Sequence, residues 1–181
     1  RSNSQGLVPK TIIILYTLFM LQVQNLSKHF GDNKAVNGVS FDIKEGEIFS
    51  LIGPNSSGKT TIVKSIIGLL QPTSGSIRVG GHDVMKDPLS AKALLGYIPD
   101  EPSIWPFMTG EEFLYFTQAL FGVEEKTRAK NIPKLLDIFS LQGVEKQYFQ
   151  DYARGNKQKF SIISAASHNP KLLVIDEPIV G

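Results

Sequence analysis

The sequence predicts a single α/β domain built around a parallel sheet, and three observations support this fold class. The hydrophobic pattern changes from strand alternation to helical spacing across a glycine-bearing loop that begins at Gly53. An apolar run over residues 172–175 ends directly in two acidic residues, which is typical of a buried parallel strand. Residues 110–151, between these segments, show helical patterning and no convincing strand, so we expect a helical insertion.

The first half of the chain predicts strands before the loop and one helix after it. Residues 21–52 contain three alternating runs, LQVQ, VSFDI and EIFSLI, separated by the turn-rich segments GDNK and KEG. EIFSLI is therefore expected to be the strand that leads into the loop. Apolar residues at helical spacing predict a helix over 61–70, and a short hairpin (76–84) and a strand (94–98) follow.

The second half of the chain predicts three helices and a last strand. Helical patterning covers residues 111–121 and 132–141. A further helix over 155–167 is stopped by Pro170, which cannot continue a helix. The apolar run at 172–175 then forms the last strand, because its length and its flanking residues fit a buried strand.

Composition excludes several kinds of protein. The 181 residues are 41% hydrophobic and 20% charged, close to the globular average, which argues against disorder, collagen-like repeats and coiled coils. The net charge of +2 is too small to indicate that bulk charge binds nucleic acid or a membrane surface. The sequence has no cysteine, so a disulfide, a thiolate nucleophile and a cysteine zinc site are excluded, which fits a reducing cytosol.

Both ends of the chain suggest a fragment. Residues 11–21 are uncharged and almost wholly apolar, yet too short to span a bilayer, and a small-residue signal-peptide cleavage site is lacking. We expect residues 1–19 to lie upstream of the folded domain or to be an addition to it, and Met20 to open a domain that covers 20–181. At the other end, the chain stops directly after an acidic motif that we expect to continue.

The clearest chemical signal is the segment 53–60, which fits the phosphate-loop pattern G-x-x-x-x-G-K-[ST]. In such a loop, converging backbone N–H groups and the positive end of the following helix bind polyphosphate oxygens. Lys59 adds a charge for the β- and γ-phosphates, Thr60 offers a hydroxyl to Mg²⁺, and Thr61 lies beside the α-phosphate. The alternative is a glycine-rich turn with an incidental lysine. The predicted nucleotide-binding residues of the loop are Gly53, Pro54, Asn55, Ser56, Ser57, Gly58, Lys59, Thr60 and Thr61.

Two carboxylates at the end of the last strand support this hypothesis. Asp176 and Glu177 directly follow the apolar run, at the carboxyl edge of the sheet where ligands bind in α/β proteins. Asp176 is expected to hold Mg²⁺ directly or through water, and Glu177 to orient or deprotonate the water that attacks the γ-phosphorus. The alternative is a solvated strand end, which is common for single acids. ATP and Mg²⁺ are therefore the predicted cofactors.

With these residues in place, the chain from Met20 to Gly181 resembles the ATP-binding subunit of ABC transporters, in particular bacterial ABC-2 and multidrug exporter ATPases. Residues 53–61 match the family's Walker A loop, and residues 168–178 match its Walker B block. Residues 96–102 lie where the family has its Q-loop, and residues 152–159 match its signature segment. Phe30 resembles the aromatic residue that stacks on adenine, although a core aromatic at a strand end is an equal alternative.

The resemblance implies a fold and a mechanism. The fold is a P-loop NTPase core with a parallel sheet, an N-terminal antiparallel β subdomain and a helical subdomain at about 101–168. Two subunits pack head to tail, with ATP between one Walker A loop and the partner's signature residues. Hydrolysis drives transport through integral membrane subunits, which place the protein peripherally on the inner face of the cell membrane; nucleic acid is not expected. The implied signature residues are Ala153, Arg154, Gly155 and Asn156; the catalytic residues are Lys59 and Glu177; and the metal ligands are Thr60, Asp176 and Asp100.

Several residues depart from the family's pattern. Ser56 stands where the family generally has glycine, and a serine there is strained if the position requires a positive φ. Asp100 replaces a glutamine, Ala153 replaces the signature serine, and Arg154 replaces a glycine. The sequence also ends before the family's switch histidine, and His168 lies upstream of Walker B. We therefore expect this chain by itself to be weakly active or inactive as an ATPase.

Two alternatives to a transport ATPase remain open. The first is a degenerate regulatory module that binds ATP without turnover, which Ser56 and Ala153 motivate. The second is an ABC-type ATPase without a membrane partner that acts on ribosomes or DNA, which the modest helical insertion disfavours. The loop near 100–107 is expected to pass movement to membrane subunits, with Trp105, Pro106 and Phe107 either lining that surface or packing as an ordinary loop.

Overall fold

The computed structural model describes residues 19–102 and 104–176, which form an antiparallel sheet, a short parallel sheet and a helical region. The strands are β1 (Phe19–Phe30), β2 (Asn33–Lys44), β3 (Ser74–Val79), β4 (His82–Asp83), β5 (Leu95–Ile98) and β6 (Leu172–Ile175). The helices are α1 (Lys59–Ile66), α2 (Pro88–Ala93), α3 (Gly110–Leu120), α4 (Glu125–Ile138) and α5 (Arg154–Ala166), with a 3₁₀ turn at Phe149–Asp151.

The antiparallel sheet has the strand order β2-β1-β3-β4 and confirms the predicted N-terminal hairpins. Gly31 has a φ of 58° and lies in the tight turn between β1 and β2, where glycine avoids the cost of the left-handed conformation. The inner face of β1 buries Leu21, Val23 and Leu26 against Ile77 and neighbouring residues. This sheet forms one wall of the first hydrophobic core, and α1 packs into that core through Ile62 and Ile66.

The parallel sheet consists, in the described residues, of β5 and β6. Leu95 pairs with Leu172 and Ile98 with Ile175, so both strands end at the same edge. The connection between them runs through α3, α4 and α5, and α5 packs against β5. The predicted parallel strands at 94–98 and 172–175 are therefore confirmed, with a helical connection between them as parallel pairing requires. The expected burial of 172–175 is wrong: Leu173 and Ile175 are 44% and 42% exposed, because the described residues do not cover that face of β6.

The predicted strand at 47–52 was wrong. These residues have no regular secondary structure, and within residues 19–102 and 104–176 no strand forms a backbone ladder with them. Their alternation is visible in the packing: Phe49 stacks on Phe41 with ring centroids 4.9 Å apart, whereas Ile48 and Ile52 are 96% and 92% exposed. A strand needs a hydrogen-bonded neighbour as well as an alternating pattern, and the described residues do not supply one here.

Helices differ from prediction mainly at their ends. The helix expected at 61–70 is α1, which ends earlier than predicted. The helix expected at 132–141 is α4, which begins earlier than predicted; its first turns are polar, so the apolar pattern did not mark them. Helix α2 was not predicted. Its sequence does carry a recognisable start signal, because Asp87 is the N-cap and Pro88 opens the first turn. The sequence boundary at Met20 lies one residue inside β1.

The helical region has a hydrophobic core of its own. Leu114, Ile132, Phe149 and Phe160 are among its most buried members, and aromatic rings pack edge to face within it. The start of α3 has a capping box in which Glu112 N–H donates to the Thr109 hydroxyl at 3.2 Å and Thr109 N–H donates to the Glu112 carboxylate at 2.8 Å. The Glu112 carboxylate accepts from Thr109 N–H and from the Thr109 hydroxyl, and these two hydrogen bonds hold the pKa of the Glu112 carboxyl below its usual range. None of the helices described is long and apolar enough for a membrane crossing.

Candidate functional site

The phosphate loop lies between the segment at 47–52 and α1, and its backbone is tightly constrained. Gly58 is the N-cap of α1 with a φ of 90°, and an added Cβ there would meet the carbonyl oxygen of Ala35 and, at 3.2 Å, Cγ2 of Val36. Only glycine fits this position without moving the neighbouring β2 backbone. The loop is thereby held against the antiparallel sheet at the point where α1 begins.

Ser56 adopts the left-handed conformation, with a φ of 64°. The strain that the sequence analysis attached to a positive φ at this position therefore applies. A non-glycine residue in this region costs about 1 kcal/mol or more. The loop geometry is thus retained by the surrounding structure despite a residue that disfavours it.

The Lys59 ammonium hydrogen-bonds to the backbone of its own loop. Its Nζ donates to the carbonyl oxygens of Gly53 at 2.7 Å and of Pro54 at 2.8 Å. Both acceptors are neutral, so a phosphate oxygen, which carries a charge, is a stronger partner for the ammonium. The lysine is therefore positioned at the loop, and binding of a polyphosphate would exchange these two hydrogen bonds for charged ones.

The first turn of α1 favours an anion. Gly58 provides no side-chain cap, and the first turn contains no acidic residue. The N–H groups at a helix start have no partner inside the helix, and the helix dipole places partial positive charge there. The exposed Thr60 lies in this turn, so its hydroxyl is available to a ligand at the same place.

Two carboxylates lie at the carboxyl edge of the parallel sheet. Asp176 follows β6 and its N–H donates to the carbonyl of Ile98 at 2.9 Å, while Asp100 follows β5 by two residues. Burial raises the pKa of the Tyr97 phenol, and the charges of Asp176 and Asp100 raise it further. Glu177 lies outside the described residues.

Two of the predicted oxygen donors, one at the start of α1 and one after β6, suit Mg²⁺ chemically. Thr60 offers a hydroxyl and Asp176 a carboxylate, and hard oxygen ligands of this kind are those that Mg²⁺ prefers. No group of three or more acidic or histidine side chains comes together in the residues that the structure describes. A magnesium ion here would therefore take most of its ligands from phosphate and water, as is usual for nucleotide sites.

Asp100, the third predicted metal ligand, has another partner. Its Oδ1 accepts a hydrogen bond from Nη2 of Arg154 at 3.1 Å. This pairing joins the loop after β5 to the first residue of α5, 54 positions further along the chain. Both residues can be picked out separately from the sequence as candidate site residues, but no sequence signal connects them.

The signature residues lie at the start of α5. Ala153 is the N-cap and provides no side-chain hydrogen bond, Arg154 is the first helical residue, and the first turn contains no acid. Tyr152 is buried beneath them: its hydroxyl donates to the Val144 carbonyl at 2.6 Å and accepts from Gly110 N–H at 3.1 Å. Tyr152 thus anchors the start of α5 to α3, a role that the sequence analysis missed.

Phe30 and the aromatic loop residues are available to ligands or partners. Phe30 is 51% exposed at the end of β1, which excludes the alternative of a core aromatic. Lys28 Nζ lies 5.1 Å from the centre of its ring. Trp105 and Phe107 are also exposed, each with one aromatic neighbour, Phe116 and Tyr148 respectively.

His168 has a structural role in the described part of the chain. One ring nitrogen hydrogen-bonds with the carbonyl oxygen of Leu95 at 2.9 Å. The ring also stacks on Phe121, with centroids 3.6 Å apart. These contacts join the segment after α5 to β5 and to the end of α3.

Comparisons with known proteins agree with these motifs. The family model described as "ABC transporter" matches residues 36–180. The chain is 36% identical over 162 residues to the linearmycin resistance ATP-binding protein LnrL of Bacillus subtilis, covering 90% of this chain and 52% of that protein. It is 32% identical to the bacitracin transport ATP-binding protein BcrA of Enterococcus faecalis, covering 90% and 52%. The chain thus spans about half the length of these relatives.

The fold comparison gives the same family. A solved ATP-binding subunit of an ABC transporter superposes with a TM-score of 0.83 at 32% identity, covering 89% of this chain and 67% of that one. The fold is accordingly that of the P-loop NTPases, with the antiparallel sheet and the helical region in the predicted places. Together, the family match over residues 36–180 and the phosphate-loop geometry show that the chain belongs to the ABC transporter family, among its ATP-binding proteins.

Proposed function

We propose that this chain binds ATP with Mg²⁺ and hydrolyses it, as the ATP-binding part of a transporter. ABC transporter ATP-binding subunits are generally ATPases that work with membrane subunits. The observation that carries the proposal for this chain is the position of the Lys59 ammonium, 2.7 and 2.8 Å from two loop carbonyls at the uncapped start of α1. A cation and free N–H groups at one point are what a triphosphate requires.

The proposed roles follow from the chemistry of each group. The loop N–H groups orient the phosphates, the Lys59 ammonium binds the β- and γ-phosphate oxygens, and the exposed ring of Phe30 stacks on adenine. Thr60 and Asp176 hold the magnesium ion, which neutralises charge on the phosphates when it is bound. Glu177 orients the attacking water and accepts its proton.

The start of α5 supports the proposed head-to-tail pair. It is uncapped and free of acidic residues in its first turn. Such a helix start attracts an anion, and in this proposal it faces the γ-phosphate held by a second subunit. Gly155 leaves room for the triphosphate of that second subunit, because an added Cβ there would meet nothing within 4 Å.

We further propose that the exposed aromatic loop contacts the membrane subunits. Trp105, Pro106 and Phe107 are all exposed and lie just beyond the loop that carries Asp100. Contiguous exposed aromatics are typical of contact surfaces. The protein would thus be peripheral on the cytoplasmic face of the membrane, in an exporter of the bacterial type, as the names of the relatives suggest.

Nucleotide binding is tested by removing the loop cation. Lys59→Ala should weaken binding of a fluorescent ATP analogue about 10- to 150-fold, because each lost charge-assisted contact contributes about 1.5–3 kcal/mol. Lys64→Ala is the matched control, since Lys64 is exposed in the last turn of the same helix. It should bind as the unmodified protein does. Equal losses in the two variants, or none, would contradict a specific phosphate site.

A second candidate function is a regulatory module that binds ATP without turnover. The strained Ser56 and the lack of a hydroxyl at Ala153, which replaces the signature serine, favour it. Single-turnover hydrolysis, compared with Glu177→Gln, separates the two candidates. Phosphate release that the substitution abolishes supports the ATPase, whereas no release from either protein leaves only binding. Copurification with a membrane subunit supports the transport role, and recovery with ribosomes would overturn it.

A further inference from the structure

The start of α5 is strongly electropositive. Three of its first six residues are basic, Arg154, Lys157 and Lys159, and its first turn has no acid. The helix dipole adds partial positive charge at the same end. Basic residues at a helix start oppose the dipole, so this end is destabilised unless an anion lies beside it.

Asp100 supplies that anion from another part of the fold. Its carboxylate is 3.1 Å from the Arg154 guanidinium. The neighbouring carbonyl of Pro99 accepts a longer hydrogen bond, 3.5 Å, from Gln158 one turn along α5. The loop after β5 therefore contacts the first two turns of α5 through a charged and a neutral hydrogen bond.

The ion pair is accessible from solvent. The Arg154 and Asp100 side chains are 56% and 41% exposed. Exposed ion pairs are weak, so a more highly charged anion at the same helix start can displace the carboxylate. The pair is therefore suited to exchange partners rather than to stabilise the fold.

We propose that Asp100 is an intrachain competitor of phosphate: it holds Arg154 at the start of α5 and must release it before this helix can bind the triphosphate of a second subunit. The inference rests on the proposed function, in which α5 faces that triphosphate. Asp100 is then an autoinhibitory residue and Arg154 a positioning residue for the sandwich. Arg154 engages Oδ1 of Asp100, so a metal ion at this carboxylate would share its negative charge with the guanidinium, and the Asp100–Arg154 latch competes with the metal role expected for Asp100 for that charge.

The latch itself is tested without nucleotide, by hydrogen–deuterium exchange of the amides at 153–159. Asp100→Asn should raise their exchange about 1.5- to fivefold, the range that exposed ion pairs give. In an Arg154→Gln background the same substitution should add nothing. Glu101→Gln is the matched control, because Glu101 is an exposed neighbour with the same charge. Equal exchange in Asp100→Asn and Glu101→Gln would overturn the latch.

The competition is tested by ATP-driven dimerisation in EDTA, where Asp100 cannot act through a metal. Sedimentation should show that Asp100→Asn dimerises about 1.5- to fivefold more tightly than the unmodified protein, that Glu101→Gln is unchanged, and that Arg154→Gln is weakened. Unchanged or weaker dimerisation of Asp100→Asn would overturn the competition. If the unmodified protein does not bind ATP, the proposed function fails, and the exchange experiment still decides whether the latch exists.

Discussion

The helical region and the segment before the phosphate loop both show apolar patterning but pack very differently. In the helical region, Phe149, Phe160 and Leu114 are almost wholly buried in a closed core. In the segment at 47–52, Ile48 and Ile52 point into solvent while Phe49 lies on Phe41. An apolar pattern therefore produced a closed core in one region and a half-covered strip in the other.

The difference lies in where the backbone hydrogen bonds come from. A helix bonds to itself, so α3 and α5 need only each other's apolar faces to form a core. A strand bonds to a neighbour that is distant in sequence, and its second face is buried only if that neighbour is present. Local sequence can thus complete a helical region, whereas a strand depends on the rest of the sheet.

The largest expected effect breaks the closed core. An added Cβ at Gly110 would overlap both Phe160 and the Tyr152 hydroxyl. We expect Gly110→Ala to lower the free energy of unfolding by about 3 kcal/mol, because neither ring can move within the core. Urea denaturation measures this change. Gly155→Ala is the control, since nothing lies within 4 Å of its added Cβ, and it should be neutral or slightly stabilising. Similar losses in both variants would mean that the core is not closed at Gly110.

A smaller effect comes from the polar anchor of the same core. Tyr152→Phe leaves Gly110 N–H and the Val144 carbonyl without their partner, so we expect a loss of about 1–2 kcal/mol near neutral pH. Burial raises the pKa of the Tyr152 phenol to about 12, while the Gly110 hydrogen bond opposes this shift and the Glu145 charge adds to it. The folded state therefore holds the phenol proton more tightly than the unfolded state does.

The pH dependence of that anchor has a definite sign. The stabilisation linked to the Tyr152 proton is fully present below pH 10 and is lost as the pH rises towards about 12. Urea midpoints at pH 9 and pH 11 should therefore differ more in the unmodified protein than in Tyr152→Phe. A gap between the two proteins that stays constant over this range would contradict the assignment.

The smallest expected effect sharpens the other side of the comparison. Ile52 is 92% exposed, so Ile52→Thr should change the free energy of unfolding by less than about 0.5 kcal/mol. Ile77→Thr, in the buried face of β3, is the matched substitution and should cost more than about 1 kcal/mol. A loss for Ile52→Thr as large as that for Ile77→Thr would show that this side chain is covered in solution.

Much of the candidate site could be predicted because its signals are local. Gly58, Lys59 and Thr60 are adjacent in the chain. The backbone conformation requires the glycine, the lysine supplies the charge and the threonine supplies the hydroxyl. The alternation in β1 and β2 and the helical spacing in α3 were equally readable. What escaped prediction was the pairing of Asp100 with Arg154 and the anchoring by Tyr152, because their partners are remote in sequence.

The sequence by itself determined the α/β class, the phosphate loop and the order of the motifs, since these depend on residue type and on spacings of a few positions. Tertiary structure alone decided that Ser56 takes a positive φ, that Lys59 folds onto its own loop and that residues 47–52 are not a paired strand. Local rules act through neighbours along the chain, whereas ion pairs, strand pairing and backbone strain depend on which distant residues the fold brings together.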